Sequence, residues 1–401
     1  MMIKLINEIL NKMVKICKPQ RKFVVGALFV MISGRGKMNF RNMSRHSTFS
    51  EKTFSRNYEK PFSFAEFNQE ALSLVLKPGA RQIAAFDPSF IQKAGLKTYG
   101  KEFFWNGSAT RAEKGLEVNL LAVVDVDYNT AYPILAGQTP PKQEESNDEE
   151  VKENRIDHYL ALIKKGREHL SVDVKHLAVD GFFAKERFVS GVKEMRLEVV
   201  GKLRIDANLR HPFQGQQKGR GRPRKYGSKF AINDIAKLEF VGEIDKKVKL
   251  YTAVVYSISL KRDIRIVLLV KNDKSRALLF STDLTLSALD IYHFYKARYQ
   301  IEFLFRDAKQ FTGLADCQAI SQQKLDWHFN ASFAALGLTK IEDRLTRGVA
   351  AGPGVFSMAS WKARHFNEIF IETIFSTLGL DLTLIKSTPH FETLRNYGTI
   401  S

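Results

Sequence analysis

Cysteine is almost absent: Cys17 and Cys317 are the only two in 401 residues. They supply neither a disulfide framework nor a zinc cluster, which fits a reducing cytoplasm. Long apolar runs are missing too. The one marked stretch, residues 23–34 (FVVGALFVMISG), has 12 uncharged residues, whereas a spanning helix needs about 18 or more. Lys15, Lys18, Arg21 and Lys22 precede it as in a signal peptide, but no small-residue cleavage site follows. It reads as a buried helix of an N-terminal domain. The nine histidines show no ligand spacing, and His211, His293 and His328 read as structural. Acid is also scarce, with 43 Asp+Glu against 62 Lys+Arg, a net charge of +19. Such an excess points to a polyanionic partner, most commonly nucleic acid. The rest is ordinary: 44% hydrophobic and 26% charged residues exclude a disordered or fibrous chain.

The charge is unevenly spread. Residues 1–60 hold 13 Lys/Arg and 3 Asp/Glu, which reads either as a footprint for a phosphate backbone or as a solvated basic face. The spacing of Leu5, Ile9, Met13 and Ile16 predicts helix there, so residues 1–75 are expected to form a basic helical DNA-binding domain. From residue 76 to 209 the pattern becomes mixed. Strands are predicted at 82–87 (QIAAFD), 116–127, 131–136, 176–180 (HLAVD) and 198–205. An acidic loop at 142–153 leads into a helix over 151–170. Strands with intervening helices give an α/β sheet covered on both faces. Residues 210–230 break this pattern with seven Lys/Arg, no acid, four Gly and two Pro. Strand-like segments follow to 285, which predicts a β-rich insertion domain. A helical stretch from about 286 and a helix over 325–345 complete a second part of the core, 286–347. A Gly-rich linker at 348–354 then opens a short helical tail reaching 401.

Asp87 and Asp180 each close a buried strand, and functional groups of open α/β sheets gather at strand ends. A lone Asp there is equally a turn residue or a helix N-cap. A third group comes from the helix after 286. Tyr295, Arg298, Glu302 and Lys309 fall within a stripe of about 60° on a regular helix. A phenol, a guanidinium, a carboxylate and an ammonium on one face suit a metal with phosphates beside it. An exposed helix with an Arg298–Glu302 ion pair accounts for the same spacing.

The pattern Tyr295-x2-Arg298-x3-Glu302-x6-Lys309 resembles the signature of the IS-four family of insertion-sequence DDE transposases. Asp87 in FDPSF is similar to the family's first catalytic Asp, and Asp180 in AVDGFF to the second. Glu302 takes the place of the catalytic Glu. Lys93-x-Gly95 is similar to an element that follows the first strand in relatives. The 122-residue gap between Asp180 and Glu302 matches members with a β-rich insertion at that point. The resemblance covers roughly 75–345. It implies an RNase H-like α/β core interrupted by the insertion, between helical N- and C-terminal segments. It also implies metal-dependent cleavage at the inverted-repeat ends of a mobile element, followed by strand transfer into target DNA. Asp87, Asp180 and Glu302 would hold two Mg²⁺ ions, replaceable by Mn²⁺, since oxygen ligands suit these rather than zinc. Arg298, Lys309 and Tyr295, with Lys93, would contact DNA. Two copies would pair the two ends as a homodimer, in a bacterial cytoplasm and with no membrane role.

Residues 219–227 (GRGRPRKYG) contain Arg-Gly-Arg-Pro, similar to the AT-hook core that lies in an A·T-rich minor groove. Arg220, Arg222, Arg224 and Lys225 are the candidate contacts, with a solvated basic loop as the plain alternative. Relatives that cut through a DNA hairpin flip a base onto a tryptophan of the insertion. Here the tryptophans are Trp105, Trp327 and Trp361, so Phe280 and Tyr292 are the aromatics left for that role. Asp125, Asp127 and Asp206 lie outside the family order, and Cys317 reads as a buried small side chain. Two rival functions stay open: a domesticated, catalytically idle DNA-binding descendant, and a basic architectural protein.

Overall fold

The computed structural model describes residues 2–141, 154–217, 219, 221–232, 234–244, 247–271, 275–349, 352 and 354–400. The acidic segment 142–153, Arg220, and parts of the 348–354 linker lie outside the described residues. Five helices open the chain: α1 (Met2–Lys12), α2 (Lys18–Ser33), α3 (Phe40–Arg45), α4 (Glu51–Asn57) and α5 (Phe64–Leu72). Leu5, Ile6, Ile9 and Leu10 give α1 one buried stripe. In α2, Pro19 sits in the first turn, and Phe23, Ala27 and Met31 are buried. Asn39 and Ser50 cap α3 and α4 by accepting backbone N–H groups of Asn42 and Thr53. The N-terminal segment is therefore helical, as expected. It has no core of its own, because helices this short bury their faces only against a larger body. They share one apolar cluster with Tyr132, Trp327 and Leu338.

Next come β1 (Gln82–Gln92), β2 (Glu102–Asn106), β3 (Arg111–Asp125), β4 (Thr130–Gln138), α6 (Arg155–Arg167), β5 (His176–Ala178), α7 (Glu186–Glu194) and β6 (Glu198–Leu203). The insertion contributes β7 (Leu209–Pro212), β8 (Tyr226–Lys229), β9 (Glu239–Ile244), β10 (Val248–Ser257), β11 (Arg262–Lys271) and β12 (Ser275–Ser281). The chain then runs through α8 (Ala288–Arg298), α9 (Gln300–Asp307), a π-helical turn (Ala308–Thr312), α10 (Gln322–Arg347), α11 (Met358–Thr377), α12 (Leu382–Lys386) and α13 (Pro389–Arg395). The tail is helical, and α11 alone has 20 residues.

The strands form one mixed sheet in the order β2-β3-β1-β5-β6-β12-β11-β10-β7-β8, with β4 on β3 and β9 on β10. Residues 210–285 are indeed β-rich, but they are continuous with the rest of the sheet. β12 returns beside β6 and pairs antiparallel from Leu278↔Leu203 to Ser281↔Val200, so the ladder runs on without an edge. Alternate residues feed opposite faces. Ala84 and Phe86 join the cluster that includes the N-terminal helices, while Ile83 and Ala85 join the one holding α8, α9 and part of α10.

Candidate active site

Asp87 does not end its strand. β1 runs on to Gln92, antiparallel to β3 over its full length, with Asp87 opposite Leu120. On the other side β1 pairs in parallel with β5 only at Ala84 and Ala85. Asp87 thus emerges just past the last parallel rung, which puts it where a true strand end would. Asp180 follows β5 and caps a short 3₁₀ turn by accepting the Phe182 N–H at 2.9 Å. Glu302 lies in the first turn of α9, and Arg298 closes α8.

Arg298 bridges two of these acids. Arg298 is nearly buried, and it donates to Glu302 Oε1 at 3.0 Å and approaches Asp87 Oδ1 to 4.0 Å. Its Nε is buried without a hydrogen-bond partner among the described residues. Tyr295 lies against the guanidinium, 5.6 Å from ring centre to Arg298. Burial pushes the Asp87 carboxyl up to about 7; Arg298 opposes this, while Asp180, Glu302 and Glu117 add to it. Burial likewise raises the Tyr295 phenol, with Arg298 lowering it and Asp180 and Glu302 raising it. Asp180 and Glu302 therefore both sit within electrostatic reach of Asp87. The ion pair Arg298–Glu302 is real as well, so the stripe is at once an ion-paired helix face and part of an acidic site.

Asp87 and Asp180 line a cavity of about 470 Å³ together with Lys309, Glu117, Trp105 and Phe182. Lys309 projects from the π-helical turn and donates to Ser89 Oγ and the Phe90 carbonyl, both at 2.9 Å. Burial lowers its pKa. A lysine ammonium has three donors, so two are committed here. The donor set of the acids is all oxygen, which is the chemistry of a hard divalent cation. Among the described residues no three acidic, His or Cys groups already converge on one point. Arg298 is the cation lying between Asp87 and Glu302.

Two groups in this cavity escaped the sequence reading. Glu117, buried on β3, accepts from the Tyr159 hydroxyl at 2.6 Å and from Thr139 Oγ1 at 2.8 Å. The one signal for it was a glutamate near the start of the largely apolar segment 116–124 of the strand. Trp105 is 62% exposed on β2, the outer strand of the order, while Trp327 and Trp361 are buried.

Other predicted residues lie elsewhere. Lys93 is engaged by another segment, its ammonium bonded to the carbonyls of Cys317 and Ala315, so it tethers that loop. Arg222, Arg224 and Lys225 line a hollow of about 730 Å³ with Tyr226 and Tyr256. The backbone of Arg224 is clamped by the Gln217 amide, at 2.7 and 2.8 Å. This hollow is seven strands along the sheet from β1, roughly 30 Å at strand spacing, so the basic loop and the acids are not brought together. Phe280 is fully buried and cannot stack on a base; its place on β12 points it into the core. Tyr292 is half-buried. Asp125 pairs with Arg344 at 2.7 Å, Asp127 with Arg81 at 3.2 Å and Asp206 with Arg204 at 2.8 Å, all structural roles. Cys317 is buried. No helix among the described residues is long and apolar enough to cross a membrane.

A sheet that gathers acids and cations in one cavity, on a strongly basic chain, is the equipment of an enzyme that acts on DNA, and a transposase family model matches residues 2–338. That family is described as "Archaeal putative transposase ISC1217", a DDE transposase family, and the chain belongs to it. No curated protein matches the chain.

Proposed function

We propose that the protein cleaves DNA at the inverted-repeat ends of a mobile element and transfers the strand into target DNA, with Asp87, Asp180 and Glu302 as the catalytic acids. The observation that carries this reading is that Asp87 and Asp180 line one cavity and that Asp180 and Glu302, from two other elements, lie close enough to raise the proton affinity of Asp87. The sheet order β4-β3-β1-β5-β6, antiparallel in its first two pairings and parallel in the next two, supports an RNase H-like core. The IS-four kinship rests on the Tyr295–Lys309 spacing; the matching family carries an archaeal description rather than a bacterial one.

Asp87, Asp180 and Glu302 would hold divalent Mg²⁺ or Mn²⁺, which when bound activates the attacking oxygen and stabilises the leaving one at phosphorus. The chain's own groups do the rest. Arg298 neutralises Asp87 and Glu302 in the resting protein and, once those acids are otherwise balanced, turns its fork to a phosphate. Lys309, fixed by Ser89 and Phe90, offers its remaining N–H to another. Two copies, one per end, act together. The rival reading, an idle DNA-binding descendant, draws on the same Arg298 bridge.

Purified protein and the DNA flanking its own gene, with Mg²⁺, Mn²⁺ or Ca²⁺, decide between them. Mg²⁺-dependent nicking at the repeat ends is expected, lost by at least about 1,000-fold in Asp180→Ala and Glu302→Gln while end binding persists. Binding without nicking by the wild type would select the idle descendant. Lost binding in Glu302→Gln would make that residue structural.

A further inference from the structure

Two cations line the acidic cavity, Lys309 and Arg155, and they enter it from opposite faces of the sheet. Lys309 comes from the turn after α9, whose Leu304, Phe305 and Ala308 pack on one face. Arg155 comes from the first turn of α6, whose Ile156, Tyr159 and Ile163 pack on the other. No pattern in the sequence singles this arginine out, and its surroundings do not use it up. Its guanidinium lies over the Phe104 ring, 4.9 Å from the centroid, and its Nε stands 3.8 Å from Glu117 Oε1. That separation gives attraction without a hydrogen bond. Glu117 Oε1 already accepts from Tyr159 and Thr139, at 2.6 and 2.8 Å. Arg155 also lies beside the Tyr159 hydroxyl. Even with one donor turned there, a guanidinium carries five N–H groups in a fixed fork. Stacking on Phe104 engages its face and leaves the edge of the fork for an anion.

The support under Arg155 is rigid. Asn154 accepts the Ile156 N–H at 2.8 Å, and Asp157 accepts the Asn154 N–H at 2.9 Å, which closes a capping box. Asp157 in turn holds Arg187 by two bonds of 2.8 Å. Phe104 is buried. The helix terminus is thus occupied by its own cap, and the group offered to the cavity is the arginine side chain, 36% exposed. An arginine already stacked and steered by a carboxylate loses less rotamer freedom on binding than a free surface one. The ligand must also tolerate Asp87, Asp180 and Glu117, which line the same cavity. A small anion meeting Arg155 alone would be repelled by these acids. A polyanion that reaches Lys309 as well gains from both cations at once.

We propose that Arg155 grips a backbone phosphate adjacent to the one at the catalytic acids, so that Arg155 and Lys309 flank the bound strand from the two faces of the sheet. The contact is a fork on a phosphate, which adds orientation to charge. It rests on the cleavage reading, in which Asp87 and Asp180 meet the phosphate that is cut.

The test is a set of repeat-end duplexes in which single phosphates near the terminus are replaced, one at a time, by uncharged methylphosphonates. Binding to the full chain is measured in Ca²⁺. The wild type should lose about 10-fold in affinity at one position within two phosphates of the terminus. Arg155→Ala should bind unmodified DNA about 10-fold more weakly and be indifferent to that one replacement, while keeping the wild-type response elsewhere. Arg155→Lys, a charge without the fork, should fall between. An arginine that only supports the fold would weaken binding to every duplex alike and leave the wild-type pattern of sensitivity, and that result overturns the proposal. In a Glu117→Gln background Arg155→Ala should cost the same factor; a loss that vanishes there would assign the arginine to Glu117 instead. A wild type indifferent at every terminal position also sinks the idea. An Arg155-dependent phosphate in a protein that nicks nothing in Mg²⁺ counts against the cleavage reading and leaves the contact standing.

Discussion

At the scale of single residues, burial sets the charge states, and it does so with opposite signs at different places. His328 is fully buried; its Nε2 donates to the Gly313 carbonyl at 2.7 Å, and its Nδ1 has no partner among the described residues. Burial holds its pKa down at about 4, against 6.5 for the free side chain. The unfolded chain therefore binds a proton that the folded one refuses. The stability this neutral histidine contributes is complete above about pH 6.5 and is lost as the pH falls toward 4, on the order of 3 kcal/mol in all. Asp87, raised to about 7, and Asp326, raised to about 6, act the other way, because the folded protein keeps protons that the unfolded chain releases. A bare melting curve against pH mixes the three. The difference between wild type and His328→Gln isolates the histidine, since glutamine still donates to Gly313 and does not titrate. The wild type's advantage should shrink steadily between about pH 7 and 4.5; parallel curves would show that His328 does not titrate as its burial requires. Position by position, Asp87, Asp180 and Glu302 stood out in the sequence because a carboxylate after an apolar strand, or in a stripe with cations, is conspicuous; the structure puts Asp87 and Asp180 on one cavity and Arg298 between Asp87 and Glu302. Glu117 was not, because what buries it is Tyr159 and Thr139, both distant in sequence.

At the scale of elements, the stripe of Tyr295, Arg298, Glu302 and Lys309 was derived for a regular helix, and the helix is not regular. At Tyr299 it tightens, with Tyr299 N bonded to Lys296 O at 3.2 Å and Glu302 N to Tyr299 O at 3.1 Å. At 308–312 it widens into a π turn, a device common at functional sites. The two departures have opposite sense and roughly offset, so Lys309 still reaches the cavity. Nothing in the local periodicity announces either one, since neither Tyr299 nor Gln300 breaks helices. The signal lies one step further, at Gly313, which ends the π turn with φ of +75°. A β-carbon there would meet the Met38 side chain and the Asp316 carboxylate. Gly313→Ala should therefore cost at least about 1–2 kcal/mol from the left-handed backbone alone, with the clash added. It should also lower end nicking by displacing Lys309. Thermal melting and the nicking assay read the two effects separately, and an unchanged melting temperature would mean that the turn adapts at no cost.

At the scale of the whole molecule, composition announced the insertion but not its attachment. The rise in basic residues at 210–230 and the loss of helices were visible locally. The pairing of β12 with β6 is a contact between distant segments that no local pattern encodes. Its consequence is reach. One continuous sheet carries the acids near one end and Arg222, Arg224 and Lys225 near the other, and roughly 30 Å is close to one helical turn of duplex DNA. On the proposed function, a duplex held at the acidic cavity would have to extend about one turn to meet the basic loop as well. The N-terminal helices, with their net +10 over residues 1–60, form a separate cationic surface. If both surfaces grip one duplex, each releases its own counterions, and the slope of log affinity against log salt is their sum. Replacing Arg222, Arg224 and Lys225 together by alanine should flatten that slope by about 2 to 3, at roughly 0.9 for each phosphate no longer neutralised. The remainder should persist as the share of the N-terminal helices. The measurement is end-DNA affinity across a salt series for both proteins. A slope that does not change would take the loop out of the DNA interface and leave the N-terminal surface to bind alone, whereas a slope that collapses would make the far end of the sheet the principal DNA-binding surface.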